Sequence, residues 1–264
     1  MAIERTFDNV TVTALADGEG AFFDPRSVAF PDVTDEQWRA ADARDPGAIH
    51  DGGWWLRFRC FLIRTPGRLI LVDTGIGDAQ APSRGWAPVP GRLPAELAAI
   101  GVAPTDIDIV VITHMHTDHI GWSIDADERP YFPNARYLLQ RDEVAAIDAR
   151  APGIADWLLR PLRAAGQLDP VEGDRDLGSG VSIVATPGHT PGHQSVVVEG
   201  GDETVLVTGD LLVHVVQLLH PEVGYSHEDD QELARATRQR MLARAGLSVL
   251  AAPHLGEPFT AWPL

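Results

Sequence analysis

Apolar and polar positions along the chain switch between a period of two and a helical period, which predicts interleaved strands and helices. Short apolar runs bounded by Gly, Pro or Asp predict strands over 8–16, 54–63, 68–73, 107–113, 137–139, 181–186, 194–198, 204–208 and 247–251. Wider apolar spacing predicts helices over 94–100, 142–150, 154–165 and 232–245, and a capping box at Thr34 and Gln37 predicts another through Ala43. This alternation is typical of an α/β layered fold with two sheets. No linker divides the chain, so we expect a single domain over 1–264.

The composition is that of an ordinary folded protein, but its charge is strongly one-sided. Apolar residues make up 44% of the 264 residues and charged residues 22%, which excludes disordered and low-complexity classes. The formal net charge is −17, so nucleic acids and anionic membrane surfaces are disfavoured as partners. All 21 basic residues are arginine, and without lysine neither Schiff-base catalysis nor a Walker-type phosphate loop can operate.

The single cysteine, Cys60, lies in a predicted strand and excludes an internal disulfide or a cysteine-rich zinc site. We interpret it as a buried, unreactive thiol. The first residues show no signal-peptide pattern, and no apolar run is long enough to span a bilayer. We therefore expect a cytoplasmic protein that acts on a small molecule and has no membrane partner.

The strongest chemical signal is the motif His114-x-His116-x-Asp118-His119, which directly follows the apolar run 107–113. Residues two apart in an extended chain point to the same side, so His114 and His116 can bind one ion together. Asp118 and His119 follow where the chain turns, and they face a neighbouring ion. Imidazole and carboxylate ligands suit Zn(II), and also Fe(II), Mn(II) or Co(II). The motif therefore predicts a metal centre at the end of this strand.

A catalytic ion needs further ligands from elsewhere in the chain and an open position for water. Three candidates come just after predicted strands: His189, Asp210 and His254. The ends of strands are where open α/β sheets build their sites, so these side chains are expected to join the motif. His193 repeats the Thr-Pro-Gly-His pattern of 186–189, and we interpret it as a structural hydrogen-bonding residue.

The chain resembles the metallo-β-lactamase superfamily of hydrolases in the order of these residues: Asp73 in Leu71-Val-Asp73-Thr-Gly75, then 114–119, His189, Asp210 and His254. The resemblance spans about 55–256. It implies a four-layer αββα sandwich, with two mixed sheets inside, helices on the outer faces and a dinuclear site in the cleft. It also implies that His114, His116 and His189 hold the first ion, that Asp118, His119 and His254 hold the second, and that Asp210 bridges them. Asp73 would support these ligands without binding a metal.

The chemistry implied by the resemblance is hydrolysis by a hydroxide that bridges two divalent metal ions. Zinc is the favoured ion, with iron, manganese or cobalt as alternatives, and no further cofactor is expected. One ion would polarise the substrate carbonyl. Asp118 would orient the hydroxide and pass a proton to the leaving alkoxide.

Within the superfamily the chain is most similar to the dinuclear lactonases, which are the N-acyl homoserine lactonases and their methyl-parathion-hydrolase-like relatives. The residues that carry this resemblance are the segment 189–193, the Asp118-His119 pair, and Asp210 followed by His214 and Gln217. One position departs from the pattern. Several acyl homoserine lactonases have a tyrosine three residues after the bridging Asp, where this chain has Val213. His214, the next residue, is therefore our candidate for a second catalytic role.

We expect a hydrolase that opens a lactone or cleaves a related ester. An alternative keeps the fold but acts on an organophosphate, a sulfate ester or a β-lactam; an iron-dependent oxygenase with a single ion and a non-catalytic metal-binding protein are further alternatives. A hydrophobic acyl or aromatic group of the substrate would need apolar walls. Candidates to line them are Phe22, Phe23, Phe30, Trp54, Trp55, Trp86 and Trp122. A homodimer is an assembly that analogy with the superfamily allows.

Overall fold

The computed structural model describes residues 3–263, and its first sheet is mixed. The strands of this sheet are β1 (Ile3–Phe7), β2 (Val10–Ala21), β3 (Ile49–His50), β4 (Gly53–Thr65), β5 (Arg68–Val72), β6 (Ile109–Val111), β7 (Arg136–Gln140) and β8 (Leu168–Val171). They lie in the order β1-β2-β4-β5-β6-β7-β8, with β3 paired to β4. The pairs from β1 to β5 are antiparallel, and those from β5 to β8 are parallel.

The helices are mostly short and lie in the connections between strands. They are α1 (Arg26–Ala29), α2 (Asp35–Arg44), α3 (Leu93–Ala99), α4 (Thr117–Ile120), α5 (Arg141–Arg150), α6 (Pro152–Ile154), α7 (Arg160–Ala164), α8 (Val215–Leu219) and α9 (Gln231–Leu242). The predicted capping box is confirmed: the Thr34 hydroxyl accepts the backbone N–H of Gln37 at 3.3 Å, and α2 begins at the next residue, Asp35.

The second sheet is largely antiparallel. Its strands are β9 (Arg175–Gly178), β10 (Val181–Ala185), β11 (Gln194–Gly200), β12 (Glu203–Val207), β13 (Leu247–Ala251) and β14 (Phe259–Ala261). They lie in the order β14-β13-β12-β11-β10-β9, and β12 and β13 form a parallel pair. A parallel pair needs a long crossover, and α8 and α9 provide it.

The two sheets pack face to face, and helices cover their outer faces. Along β12, Val205 and Val207 point toward the first sheet, whereas Leu206 points outward toward Met241 of α9. The outer face of the first sheet packs on α3, α5 and α7. Strands covered on both faces are apolar at nearly every position, which explains the continuous apolar runs of the sequence. The expected four-layer αββα sandwich is confirmed.

Two smaller expectations concern burial and membranes. Cys60 lies in β4 and is fully buried, and burial raises the pKa of its thiol, as expected for an unreactive side chain. Across residues 3–263, no helix combines the length and the apolar character needed to cross a membrane.

Candidate metal centre

The predicted ligands lie just beyond the ends of strands from both sheets. In the first sheet, β6 ends at Val111, and the chain then carries the motif into α4. In the second sheet, β10, β12 and β13 end a few residues before His189, Asp210 and His254 respectively. In the second sheet the chain turns at a Gly or Pro directly before each of these three residues, namely at Pro187-Gly188, Gly209 and Pro253. The side chains from both sheets therefore converge at one end of the sandwich.

The structure brings these side chains into two clusters. One contains His114, His116, His189 and Asp210, and the other contains Asp118, His119 and His254. Within each cluster, one ligand atom from every residue lies within 4.8 Å of the others. Such sets of imidazole nitrogens and carboxylate oxygens are the donors that zinc and similar divalent ions prefer.

Asp210 lies between the two clusters. Its Oδ2 atom is 3.7 Å from His114 Nε2 and 3.3 Å from His189 Nε2. Its Oδ1 atom is 3.2 Å from His119 Nε2 and 3.1 Å from His254 Nε2. Each carboxylate oxygen therefore faces a different cluster, which is the geometry a bridging ligand needs.

Several buried polar atoms at the centre have no hydrogen-bond partner in the described part of the chain: His114 Nε2, His189 Nδ1 and Asp210 Oδ1. Between neighbouring histidines, His189 Nε2 is 3.0 Å from His116 Nδ1, and His254 Nε2 is 3.3 Å from His119 Nε2. Buried polar atoms are normally satisfied, and facing imidazole nitrogens need a proton or a cation near them. The centre therefore fits divalent metal ions.

Hydrogen bonds to the opposite ring nitrogens hold three of these histidines in orientation. His119 Nδ1 donates to Asp73 at 2.8 Å, and His254 Nδ1 donates to the Arg57 carbonyl oxygen at 2.7 Å. His114 Nδ1 lies 2.9 Å from the Thr113 hydroxyl. In all three rings Nε2 is thereby left as the atom directed at the centre, as is usual for metal-binding histidines.

Two residues from the sequence analysis support the ligands from outside the clusters. Asp73 accepts the backbone N–H of Thr113 at 2.7 Å and the hydroxyl of Thr113 at 2.9 Å, in addition to its bond with His119. His193 Nε2 accepts the backbone N–H of Asp210 at 2.9 Å, and its Nδ1 lies 2.8 Å from the Thr186 hydroxyl. Asp73 and His193 therefore support the ligands through hydrogen bonds, and neither belongs to a cluster.

Burial and neighbouring charge act differently on the two clusters. Burial lowers the pKa of His114, His116 and His189, so these rings are neutral, the form that binds a metal. Burial also lowers the pKa of His119, but nearby carboxylates, Asp210 first, outweigh it and raise that pKa well above its usual value. The pKa of Asp210 is raised by burial, yet the surrounding histidines, His119 first, hold it well below its usual range. A metal cation would replace the proton among these groups.

Glu143 on α5 joins the two loops of the first cluster and was missed from the sequence. Its buried carboxylate accepts the backbone N–H of Met115 at 2.6 Å, that of Gly192 at 2.8 Å and the Thr190 hydroxyl at 2.8 Å. A Cβ at Gly192 would lie 2.1 Å from the backbone nitrogen of Glu143, so only glycine allows this approach. No local pattern marks such a residue, because its partners are 28 to 49 positions away.

A pocket of about 450 Å³ opens onto both clusters. Its base includes His116, Asp118, Asp210 and His254, and its walls are largely apolar and aromatic. The wall residues are Phe22, Phe23, Trp54, Leu56, Trp86, Met115, Thr117, Ala151, Ile154, Val213, Tyr225 and His227. The arrangement can hold an apolar substrate group next to a pair of metal ions.

Four of the seven aromatic candidates line this pocket, namely Phe22, Phe23, Trp54 and Trp86. The other three lie elsewhere. Phe30 is buried behind the wall against Trp54 and Tyr225, Trp55 packs on His50, and Trp122 packs on Tyr131. Tyr225 is a pocket aromatic that the sequence analysis did not single out.

The structure places His214 behind the pocket wall. Its ring packs among Phe30, Trp38 and Trp54, with ring centroids 5.4 to 5.6 Å apart, and its Nδ1 accepts the backbone N–H of Val216 at the start of α8. Burial lowers its pKa to about 3. His214 is not among the side chains that line the pocket, so the structure does not bring it together with the two ligand clusters, and its catalytic role stays a prediction from the sequence.

Comparison with known proteins defines the class. The sequence profile of the Metallo-beta-lactamase superfamily matches residues 59–249. The chain belongs to this superfamily, and it is a metal-dependent hydrolase of the lactonase-like branch. It is 30% identical over 213 residues to an N-acyl homoserine lactonase from Bacillus thuringiensis, and the match covers 75% of this chain and 79% of that protein. A second N-acyl homoserine lactonase, from a Bacillus species, is 29% identical over 167 residues, and the match covers 58% of this chain and 61% of that protein.

Solved structures share the fold over nearly the whole chain. The hydrolase AbOPH of the β-lactamase superfamily aligns with a TM-score of 0.81 and 26% identity, and the alignment covers 98% of this chain and 92% of AbOPH. AidC, a dizinc quorum-quenching lactonase, aligns with a TM-score of 0.82 and 22% identity over the same shares of the two chains. The likeness to AidC concerns the fold alone.

Proposed function

We propose that this chain is a dinuclear metal-dependent hydrolase that opens a lactone or cleaves a related uncharged ester. The observation that carries the proposal is the position of Asp210, whose two oxygens face separate ligand clusters at the base of an aromatic pocket. In this proposal His114, His116 and His189 hold one ion, Asp118, His119 and His254 hold the other, and Asp210 contacts both. Zinc is the proposed ion, and iron, manganese and cobalt accept the same donors.

Two divalent ions held by these residues would supply Lewis acidity, which would lower the pKa of a bound water and polarise the substrate carbonyl. Asp118 lines the pocket, and its Oδ2 lies 3.5 Å from His119 Nε2 and 3.6 Å from His254 Nε2. We assign proton transfer to Asp118. It accepts a proton as the water oxygen adds to the carbonyl carbon, and it returns that proton to the ring oxygen as the C–O bond breaks. The product is the open hydroxy acid.

The lining of the pocket favours a substrate without negative charge. Among residues 3–263, no arginine lines this pocket, and its ionisable groups are the two site aspartates and three histidines. Sulfate monoesters and most β-lactams carry a fixed anion that the walls cannot pair with a basic side chain. A lactone or a neutral phosphotriester has no such group, and its acyl or aryl part can pack against Phe22, Trp54 and Trp86.

The relatives add support for the lactone among the uncharged substrates. The Bacillus proteins that the chain matches are N-acyl homoserine lactonases, and the match includes 79% of the length of one of them. A cytoplasmic location and a homodimer stay predictions from the sequence.

The decisive test is proton release in a pH-stat, with zinc-loaded protein whose metal content has been measured. The substrates are N-hexanoyl homoserine lactone, γ-butyrolactone, an aryl dialkyl phosphotriester, an aryl sulfate and a cephalosporin. We expect two ions per chain and chelator-sensitive opening of the lactones, faster for the acylated one. Faster turnover of the phosphotriester than of the lactones would instead favour the alternative function, an organophosphate hydrolase with the same fold. No lactone opening by protein that holds two ions would overturn the proposal.

Asp210→Asn tests the dinuclear arrangement directly. The amide keeps the shape but removes the charge that both clusters share, so we expect fewer than two ions per chain and loss of most hydrolysis. Asp202→Asn is the matched control, because Asp202 is exposed in the turn between β11 and β12. Full activity of Asp210→Asn with a single ion bound would contradict the dinuclear scheme.

A further inference from the structure

Tyr225 is a pocket residue that the two ligand clusters do not use. Only 5% of it is exposed, and it lines the pocket together with Asp118 and Asp210. Its ring lies parallel to that of His189, with 6.1 Å between centroids and 5° between planes. Its backbone N–H binds Glu228, whereas its hydroxyl forms no hydrogen bond with any residue from 3 to 263. The pocket therefore contains a phenolic hydroxyl that is free to bind a ligand.

A buried network fixes the Tyr225 loop relative to the candidate metal centre. Glu228 accepts the Tyr225 N–H at 3.1 Å and pairs with the fully buried Arg238 of α9 at 2.8 Å. Arg238 also donates to the carbonyl oxygen of Leu211 at 3.0 Å and to that of Val223 at 2.7 Å. Leu211 follows Asp210 directly, so Arg238 ties the turn that carries Asp210 to the loop that carries Tyr225. The position of the phenol is thus built into the fold.

The ring of Tyr225 is also held by its neighbours. It stacks on Phe30 with centroids 5.1 Å apart and meets Trp54 edge-on at 6.2 Å. Burial, and then the charge of Asp210, raises the pKa of the phenol, so it keeps its proton and acts as a donor. Val213, three residues after Asp210, lines the same pocket and offers no donor.

We propose that the Tyr225 hydroxyl donates a hydrogen bond to the carbonyl oxygen of the lactone or ester as negative charge develops on that oxygen. This assignment rests on the proposed function and makes Tyr225 a catalytic residue for it. The donor comes from the loop between α8 and α9, and not from the turn after β12 or from His214. Hydrogen bonds to a charged oxygen are stronger than those to a neutral one, so the bond favours the transition state over the bound substrate.

The test compares Tyr225→Phe with the wild-type protein, both loaded with zinc. Phenylalanine keeps the ring contacts and removes only the hydroxyl. We expect kcat for N-hexanoyl homoserine lactone to fall about 10- to 100-fold, with KM changed far less. Calorimetry with the non-hydrolysable N-hexanoyl homoserine lactam should show binding weakened about threefold to tenfold, because that carbonyl is neutral. Tyr131→Phe is the matched control, since Tyr131 is a half-buried tyrosine outside the pocket.

The outcomes separate this assignment from the function on which it rests. If the wild type opens the lactone and Tyr225→Phe keeps its kcat, the assignment is wrong and the proposed function stands. If the wild type opens no lactone while holding two ions, the proposed function fails and the assignment fails with it. A variant that loses zinc or melts at a lower temperature than Tyr131→Phe would show a structural role, which also overturns the assignment.

Discussion

Asp73 acts on the candidate metal centre indirectly, through hydrogen bonds to His119 and Thr113. Its effect on metal binding can therefore be measured by substitution. Its carboxylate orients His119 and holds Thr113, which in turn lies against His114. We predict that Asp73→Asn weakens zinc binding at the His119 cluster about 10- to 100-fold, because an amide is a poorer acceptor for the imidazole N–H. Competition with a chromophoric chelator, together with elemental analysis of bound zinc, would measure the change.

Asp108→Asn is a suitable control for this substitution. Asp108 is exposed and its carboxylate accepts the backbone N–H of Leu69 at 2.8 Å, so it plays a comparable local role at the opposite end of β5 and β6. Zinc affinity should be unchanged in this variant. Equal effects of the two substitutions would mean that Asp73 acts on the strands and not on His119.

At the residue scale, the sequence identifies site residues that are neighbours along the chain better than site residues that only the fold brings together. His114, His116, Asp118 and His119 are recognisable because their spacing carries the chemistry within six residues. Glu143, Tyr225 and Arg238 carry no such signal, since each acts through partners that the fold brings near. His214 shows the converse, because its proximity to Asp210 in sequence does not bring its ring into the pocket.

Helix α5 supports the first cluster through Glu143, whose carboxylate binds both loops of that cluster. We predict that Glu143→Gln lowers the free energy of unfolding by about 1–3 kcal/mol, because the amide NH₂ would face donors that now meet a carboxylate oxygen. The loops that carry His116 and His189 should then hold zinc more weakly. Denaturant unfolding of the zinc-free protein would measure the first effect, and chelator competition the second.

Asp142→Asn provides the comparison on the same helix. Asp142 is the exposed neighbour of Glu143 in the first turn of α5 and accepts none of the bonds that join the two loops. Its substitution should leave unfolding and zinc affinity nearly unchanged. A similar loss of stability in both variants would assign the effect to charge at the helix start, not to the bonds of Glu143.

At the element scale, interior strands are predictable and edge strands are not. The expected strands at 181–186, 194–198, 204–208 and 247–251 match β10 to β13, because both faces of each are covered with apolar residues. The missed strands β1, β8, β9 and β14 are the edges of the two sheets. β8 contains a proline and β9 is mostly polar, as edge positions allow. The sequence predicts no strand within 17–50, but this segment contains the end of β2 and the short β3.

At the scale of the whole molecule, the candidate metal centre joins the two sheets. The motif 114–119 follows β6 of the first sheet, whereas His189, Asp210 and His254 follow strands of the second. Ions bound at the centre would therefore add to the contacts between the two layers, which are mainly hydrophobic side chains together with buried hydrogen bonds, such as that from Gln194 Nε2 to the Ile112 carbonyl oxygen at 2.8 Å. The histidines and carboxylates gathered there are also the groups whose burial is least favourable without a cation.

We therefore predict that zinc stabilises the entire fold and not only the loops around the site. A ligand that binds only the native state adds about 2.7 kcal/mol at a free concentration one hundred times its Kd. The melting temperature should rise with buffered free zinc and fall after treatment with a chelator, and zinc should restore it. Asp210→Asn should show a smaller rise, because its carboxylate faces both clusters, while Asp202→Asn should match the wild type. A melting temperature that does not change with zinc concentration would mean that ions at the centre do not stabilise the packing of the two sheets.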